Sequence, residues 1–474
     1  MKKVILMVLL TALLFGGENG KSVNTNNKFD VIIVGGGFSG LTAAYLLKEK
    51  NILVLEKEEA AGGRCISGEW NGFHYPKGTE YIGKPDPEMQ EFFDELGIET
   101  EEIPPPTDGV AMNGKFYFSE NLLNFLTKEE QKQYYDLQEK LIELNNKGIE
   151  EAVFDRQKLI NKYKALDKIS VKEWYTENGY SPVIQKFVDV ENRGLFGTDN
   201  ANFSMFFNIP EMAFNLPDPS SIEESEVYSF NNGMFSIIEA LTSKLGDKVI
   251  TGAVVEEVKV NKDKSVAVTY VKNGEKIKVF AKSVIMSTPA PVTGKIVKNY
   301  FSQEVKSVLS GIKYSQYATI NFFTTKRFLK DTWSVSCIDE GEVVTLYDVI
   351  RPQVSKNYNG KSILSVYMAP ENAFDFKFIY KTGNQLVKSA YKTLNKYYSG
   401  FENEVLGFDI NRFQYAFPIF EPGYGKKINI LRRDKTVKGP IFLAGDYMVY
   451  AIVDGALISA YKAVYRVEKY LKTN

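Results

Sequence analysis

The chain has 474 residues, too many for one compact core of ordinary size, and 44% hydrophobic with 25% charged side chains is the balance of a folded, soluble protein of two consecutive or interleaved domains. Fifty-eight Lys and Arg against 59 Asp and Glu leave a formal charge of -1, so nothing points to nucleic acid or to an anionic membrane surface. One His, His74, and two Cys, Cys65 and Cys337, exclude a zinc centre of several His and Cys ligands and any disulfide framework, and leave a Ser-His-Asp enzyme resting on His74 alone.

Lys2 and Lys3 precede an apolar run over residues 4–15, which Gly16-Gly17-Glu18-Asn19-Gly20 breaks before a polar stretch over 21–28. This layout predicts a secretory signal peptide over 1–20, the run being short of the about 20 apolar residues that a membrane span needs. No A-x-A-like cleavage site follows, so an uncleaved anchor is the alternative. On either reading the folded part starts near Phe29 and is extracytoplasmic: secreted, periplasmic, or held at the membrane by this segment alone.

Residues 29–34 are, apart from Asp30, an apolar, β-branched run that suits a parallel strand buried on both faces. Gly35-Gly36-Gly37-Phe38-Ser39-Gly40 follows at once and fits G-x-G-x-x-G at Gly35, Gly37 and Gly40, with a helix predicted over 41–50. The first glycine permits the tight turn, the second lets backbone approach a pyrophosphate, and the third lets helix and strand pack closely, while the helix N-terminus faces the phosphates. A second strand over 52–55 ends at Glu56, beside Lys57 and 21 residues beyond Gly35, the spacing of a carboxylate that accepts from ribose hydroxyls. Strand, glycines, helix, strand and acid in this order specify a dinucleotide site.

Ala61-Gly62-Gly63-Arg64-Cys65 and Tyr75-Pro76-Lys77-Gly78-Thr79-Glu80-Tyr81-Ile82 come next. Near the far end, Gly439-Pro440-Ile441-Phe442-Leu443-Ala444-Gly445-Asp446 precedes Asp454-Gly455-Ala456, which opens a helix to 471. On these blocks the chain resembles the flavin amine oxidase superfamily, which includes monoamine and polyamine oxidases, protoporphyrinogen oxidase and carotenoid desaturases. The resemblance implies an α/β protein: a Rossmann-like FAD-binding domain over 29–110, 228–300 and 405–474, with an interleaved α+β substrate-binding domain over 111–227, mostly helical, and 301–404. It also implies noncovalent FAD, because no cysteine lies near the C-terminal block. Gly35, Gly37, Phe38, Ser39 and Gly40 would cradle the diphosphate. Glu56 and Lys57 would flank the ribose, Val255 would meet the adenine through its backbone, and Gly62, Gly63, Arg64, Gly78 and Thr79 would lie along the flavin. Gly445, Asp446, Asp454, Gly455 and Ala456 would close the site, a helix start stabilising the reduced ring.

Further elements complete the expectation: helices over 128–147, 171–179, 182–190, 235–245 and 384–398, and an alternating strand over 314–323. Many amine oxidases of this family carry a lysine on that strand near the flavin. Here the position falls at Thr319 or Ile320, and Lys313 is several residues early. Tyr447, with Tyr415 or Phe417, would form an aromatic cage that favours a cationic or electron-poor nitrogen, or would pack on the flavin. His74 and Cys65 read as an exposed side chain and a small buried thiol. Three functions follow: hydride transfer to flavin from a small molecule such as an amine, with oxygen or a quinone-like acceptor; a desaturase or protoporphyrinogen-oxidase-like reaction on a large apolar substrate; or a non-redox binding protein of the GDP-dissociation-inhibitor type. No metal is expected.

Overall fold

The computed structural model describes residues 28–473 apart from 155–156, 218, 220–224, 231, 354–355, 357–358 and 434, so the expected signal segment lies outside the described residues. Lys28–Val34 is the central strand of an eight-stranded sheet, with Val31, Ile32 and Ile33 fully buried, as a parallel strand covered on both faces requires. Ile52–Leu55 and then Val249–Ile250 flank it in parallel on one side. On the other side Glu275–Met286 pairs with it in parallel and carries Ile441–Leu443. Glu275–Met286 then continues into an antiparallel run through Val266–Lys272 and Val254–Val260.

The helices Phe38–Leu46, Pro87–Leu96, Phe235–Leu245 and Val453–Thr473 share one apolar core against this sheet through Leu41, Phe92, Ile237 and Ala460. The first of them starts three residues before its expected position because Gly37, not Gly40, is the N-cap. Glycine at 40 serves packing: a Cβ there would lie 2.0 Å from the Gly35 carbonyl oxygen.

A second sheet of seven strands runs in the order Val405–Phe413, Tyr317–Thr324, Ser362–Met368, Val343–Asp348, Ser334–Cys337, Gly109–Met112, Lys115–Phe118. Two domain boundaries therefore shift. Val405–Phe413 pairs with Tyr317–Thr324 and belongs with the second sheet, and so does Gly109–Met112. Tyr314, expected to open the strand Tyr317–Thr324, lies outside it because it bridges to Pro418 instead. Alternation along Tyr317–Thr324 decides what each face does: Ala318, Ile320 and Phe322 pack on the helix Gly383–Tyr397, while Thr319 and Asn321 turn to the first domain. The helices Lys128–Leu144, Val171–Glu177, Pro182–Phe196 and Met205–Asn215 complete this half, and Thr127 and Ser170 start two of them with capping boxes through Glu130 and Glu173.

Candidate active site

A cavity of ≈ 1890 Å³ runs from the glycine turn into the second sheet. Of the expected cofactor residues, Gly35, Gly37, Phe38, Ser39, Glu56, Lys57, Gly62, Gly63, Arg64, Gly78, Thr79, Val255, Gly445, Asp446 and Asp454 line it. Gly40, Gly455 and Ala456 do not. Gly455 is glycine because a Cβ would stand 2.1 Å from the Tyr450 carbonyl oxygen, so it sets how the last helix begins rather than touching a ligand.

The lining fits a dinucleotide on the protein's own geometry. Gly37 has an ordinary φ of -76°, and a Cβ on it would meet no protein atom nearer than the Gly63 Cα at 3.9 Å. Nothing in the protein demands glycine there; an approaching ligand would. The helix behind it has no side-chain cap and no acid in its first turn, leaving its N–H groups to an anion. Gly37 and Gly62 bridge in parallel, and the Gly62 N–H donates to the Gly36 carbonyl at 2.8 Å, so the two glycine motifs form one backbone surface. Glu56 accepts from the Gly36 N–H at 2.6 Å and the Glu58 N–H at 2.9 Å, which fixes its carboxylate at the end of its strand. Lys57 is exposed and pairs with Glu58.

Arg64 joins three distant segments. One of its terminal nitrogens donates to the Ala416 carbonyl at 2.5 Å and to Asp446 Oδ2 at 2.7 Å. Its side chain keeps 36% exposure, on the cavity wall, while Asp446 keeps 5%. Burial works to lower the guanidinium, but Asp446 outweighs it and holds Arg64 above its usual range. Ser459 goes unassigned in the sequence reading, yet its hydroxyl accepts the Gly445 N–H at 2.8 Å and meets the Ser39 hydroxyl at 3.0 Å, tying the two helix starts to the strand end. Ser287 is a second such residue, donating to the Gly35 carbonyl at 2.9 Å.

The second sheet clamps residues 76–80. Asn321 donates to the Pro76 carbonyl and Thr319 to the Lys77 carbonyl, both at 2.8 Å, and the Tyr367 hydroxyl donates to the Gly78 carbonyl at 2.7 Å. Gly78 is glycine because a Cβ would fall 2.2 Å from the Arg64 carbonyl oxygen. Thr319 thus occupies the expected lysine position and is spent on backbone, Ile320 faces the opposite core, and Lys313 pairs with Glu421 away from the cavity lining.

Both residues of the expected cage, Tyr447 and Tyr415, stand on the lining. Tyr447 is 1% exposed, and its ring is set against Gly445. Tyr415 stacks edge-on with Tyr314 at 5.4 Å. Other rings on the lining meet edge to face: Tyr317 with Tyr367 (5.9 Å), Tyr317 with Phe417 (5.6 Å), and Tyr347 with Tyr367 (4.9 Å). Glu80 lies among them, its Oε2 3.0 Å from the Tyr367 hydroxyl. Burial pushes Glu80 up to about 8, and the Asp348 carboxylate adds to it. The sequence signal was a lone acid following Gly78-Thr79, with no spacing rule to single it out. His74 is absent from the lining, and its backbone is held by Gln353. Cys65 lines the cavity as a thiol that burial pushes up.

The chain matches the family described as flavin containing amine oxidoreductase over residues 38–468, and it belongs to that family. It is 24% identical over 336 residues to the probable flavin-containing monoamine oxidase A of Dictyostelium discoideum, covering 68% of this chain and 71% of that protein. It is 22% identical over 511 residues to the chloroplastic protoporphyrinogen oxidase 1 of Arabidopsis thaliana, covering 96% and 90%. Among solved structures, cyclohexylamine oxidase from Brevibacterium oxydans shares the fold with a TM-score of 0.75 at 17% identity, over 94% of this chain and 99% of that one. The protein is therefore a flavin-dependent oxidoreductase.

Proposed function

We propose that the chain binds FAD noncovalently and oxidises an amine at the carbon next to nitrogen. The flavin supplies the two-electron acceptor for that C–H bond. Gly35, Gly37 and the start of Phe38–Leu46 take the diphosphate, Glu56 takes a ribose, and the Val255 backbone meets the adenine. Arg64, Gly78, Thr79 and Gly445 would lie along the flavin, with Asp446 at its ribityl chain or beside the diphosphate. No cysteine stands in the C-terminal cofactor block.

One observation carries the amine assignment: the carboxyl of Glu80 sits among Tyr81, Tyr317, Tyr347 and Tyr367 on the cavity wall, and it has no ion-pair partner among the described residues. Ring faces beside a carboxyl suit a cationic nitrogen. The acceptor that completes the cycle is oxygen or a quinone-like molecule. Anaerobic addition of a substrate panel tests the reading: rapid flavin bleaching by aliphatic amines supports it. Bleaching by porphyrinogens or polyenes alone would replace it with oxidation of a large apolar substrate, a second reading that Thr319 in place of lysine favours. We also propose that the protein works outside the cytoplasm, which cell fractionation with and without residues 1–20 checks.

A further inference from the structure

Proton counting gives the Glu80, Tyr367 and Gly78 chain a direction. The Tyr367 hydroxyl lies 2.7 Å from the Gly78 carbonyl oxygen and 3.0 Å from Glu80 Oε2. A carbonyl oxygen only accepts, so at the shorter distance the phenol donates to Gly78 and its single proton is spent. The Glu80 contact is then favourable when the carboxyl is the donor, which means that it carries a proton.

The surrounding groups agree. Tyr367 and Tyr347 face Glu80 from neighbouring strands, with Tyr317 beside Tyr367. Asp348, the acid whose charge acts on Glu80, is held by Arg327. Glu191, beyond Tyr347, is itself pushed up to about 8 by burial and by Asp108. Lys77 is spent on Asp409 at 2.9 Å.

We propose that Glu80 takes the proton that a cationic nitrogen substrate sheds before its C–H bond is oxidised. The proposal rests on the amine reading above. An alkylammonium has no lone pair to assist loss of hydride from the adjacent carbon. Against the Glu80 carboxylate one N–H bond breaks, one Glu80 O–H bond forms, and the electron pair stays on nitrogen, with nothing oxidised or reduced in that step. The poorly solvated wall favours the neutral acid and neutral amine over the ion pair. Tyr367 and Gly78 then hold the acid in the observed arrangement. The proton that Glu80 carries at rest leaves to solvent as the cation enters.

Glu80→Gln tests this, because its amide N–H keeps the hydrogen bond to Tyr367 and cannot exchange the proton. For a simple alkylamine, wild-type kcat/KM is expected to rise to a limb near pH 8 and to fall above the amine's own value of about 10. The variant should lose the limb near 8 and climb until the amine itself is neutral. At pH 7 its kcat/KM should be lower on the order of 10²-fold, with flavin absorbance retained. Independently of turnover, the infrared difference between wild type and variant should show a protonated carboxyl band at neutral pH that fades as pH rises through about 8. Superimposable pH profiles, or no such band, overturn the proposal. If no amine bleaches the wild-type flavin, the amine reading fails and the role given to Glu80 falls with it, while the infrared band still reports the proton.

Discussion

Replacing Gly37 by Val separates what the protein needs from what its ligand needs. The backbone at Gly37 has φ -76° and ψ 177°, which Val adopts without strain, and the first protein atom a Cβ meets is 3.9 Å away. Loss of a favoured N-cap and gain from restricting the unfolded chain oppose each other, so the stability of the ligand-free protein should change by no more than about 1 kcal/mol. The branched side chain would stand where the diphosphate approaches the backbone. Losing two hydrogen bonds to a charged group costs about 3–6 kcal/mol, or roughly 10²–10⁴-fold in affinity. The expected product is a soluble, colourless protein that melts like wild-type apoprotein and gains no stability from added FAD. Gly40→Ala is the control: its Cβ would meet the Gly35 carbonyl oxygen at 2.0 Å, so it should lose at least about 1–3 kcal/mol whether or not flavin is present. Wild-type flavin content in Gly37→Val would refute the cradle, and a melting point as depressed as that of Gly40→Ala would refute the geometric argument beneath it.

Asp446→Asn leaves Arg64 without its carboxylate. Because Arg64 is partly accessible, the cost should be about 1–3 kcal/mol, less than for a fully buried pair. A double-mutant cycle with Arg64→Met should give a coupling above about 0.5 kcal/mol, and zero coupling would dismiss the pair as a joint between segments. Ser459→Ala orphans the buried Gly445 N–H and should cost about 1–3 kcal/mol in urea melts, an effect that would vanish if another group reached that N–H. Glu80, Glu191 and Glu211 are all pushed from 4.5 up to about 8, chiefly by burial. The folded protein thus binds these protons more tightly than the unfolded chain. Their stabilisation is complete below about pH 4.5 and is lost as pH rises through about 8, each group contributing a slope of at most about 1.4 kcal/mol per pH unit. Apoprotein melting points should therefore fall from pH 5 to 8, less steeply in Glu80→Gln; equal slopes would show that Glu80 is ionised when folded.

The dinucleotide half was legible because each step of its chemistry has a local spelling. Val31 to Val34 read as a doubly covered strand, the three glycines read as a turn and a helix start, and Glu56 stood at the expected distance. What the sequence left undivided, beyond the packing role it gave Gly40, was which of its cofactor-block glycines the protein itself requires. Gly40, Gly78 and Gly455 are fixed by carbonyl oxygens of Gly35, Arg64 and Tyr450, whereas Gly37 alone of these four has open space, and a one-dimensional pattern does not tell the two cases apart. The substrate half was less legible because its site is made by strand pairing. Thr319, Tyr367 and Asn411 stand in one row only because Tyr317–Thr324 pairs with Ser362–Met368 and Val405–Phe413 in that register, and no spacing along the chain announces it.

That row also shows what the Thr319 and Tyr367 hydroxyls do: with Asn321 on the next position of the same face, they hold residues 76–80. Residues 76–80 belong to the flavin side through the Thr79 N–H, which donates to the Arg64 carbonyl at 2.9 Å, and to the substrate side through Asn321, Thr319 and Tyr367. A lysine at 319 would lose the bond to the Lys77 carbonyl and bring a buried cation against the clamp, at a cost of several kcal/mol unless it paired with an acid. The acid it would need is Glu80, which meets the hydroxyl of Tyr367, the strand neighbour of Thr319. Thr319→Lys should therefore fold only with Glu80 ionised, moving the pH limb near 8 sharply downward. An unchanged limb in a folded Thr319→Lys protein would show that Glu80 and position 319 do not share one electrostatic site.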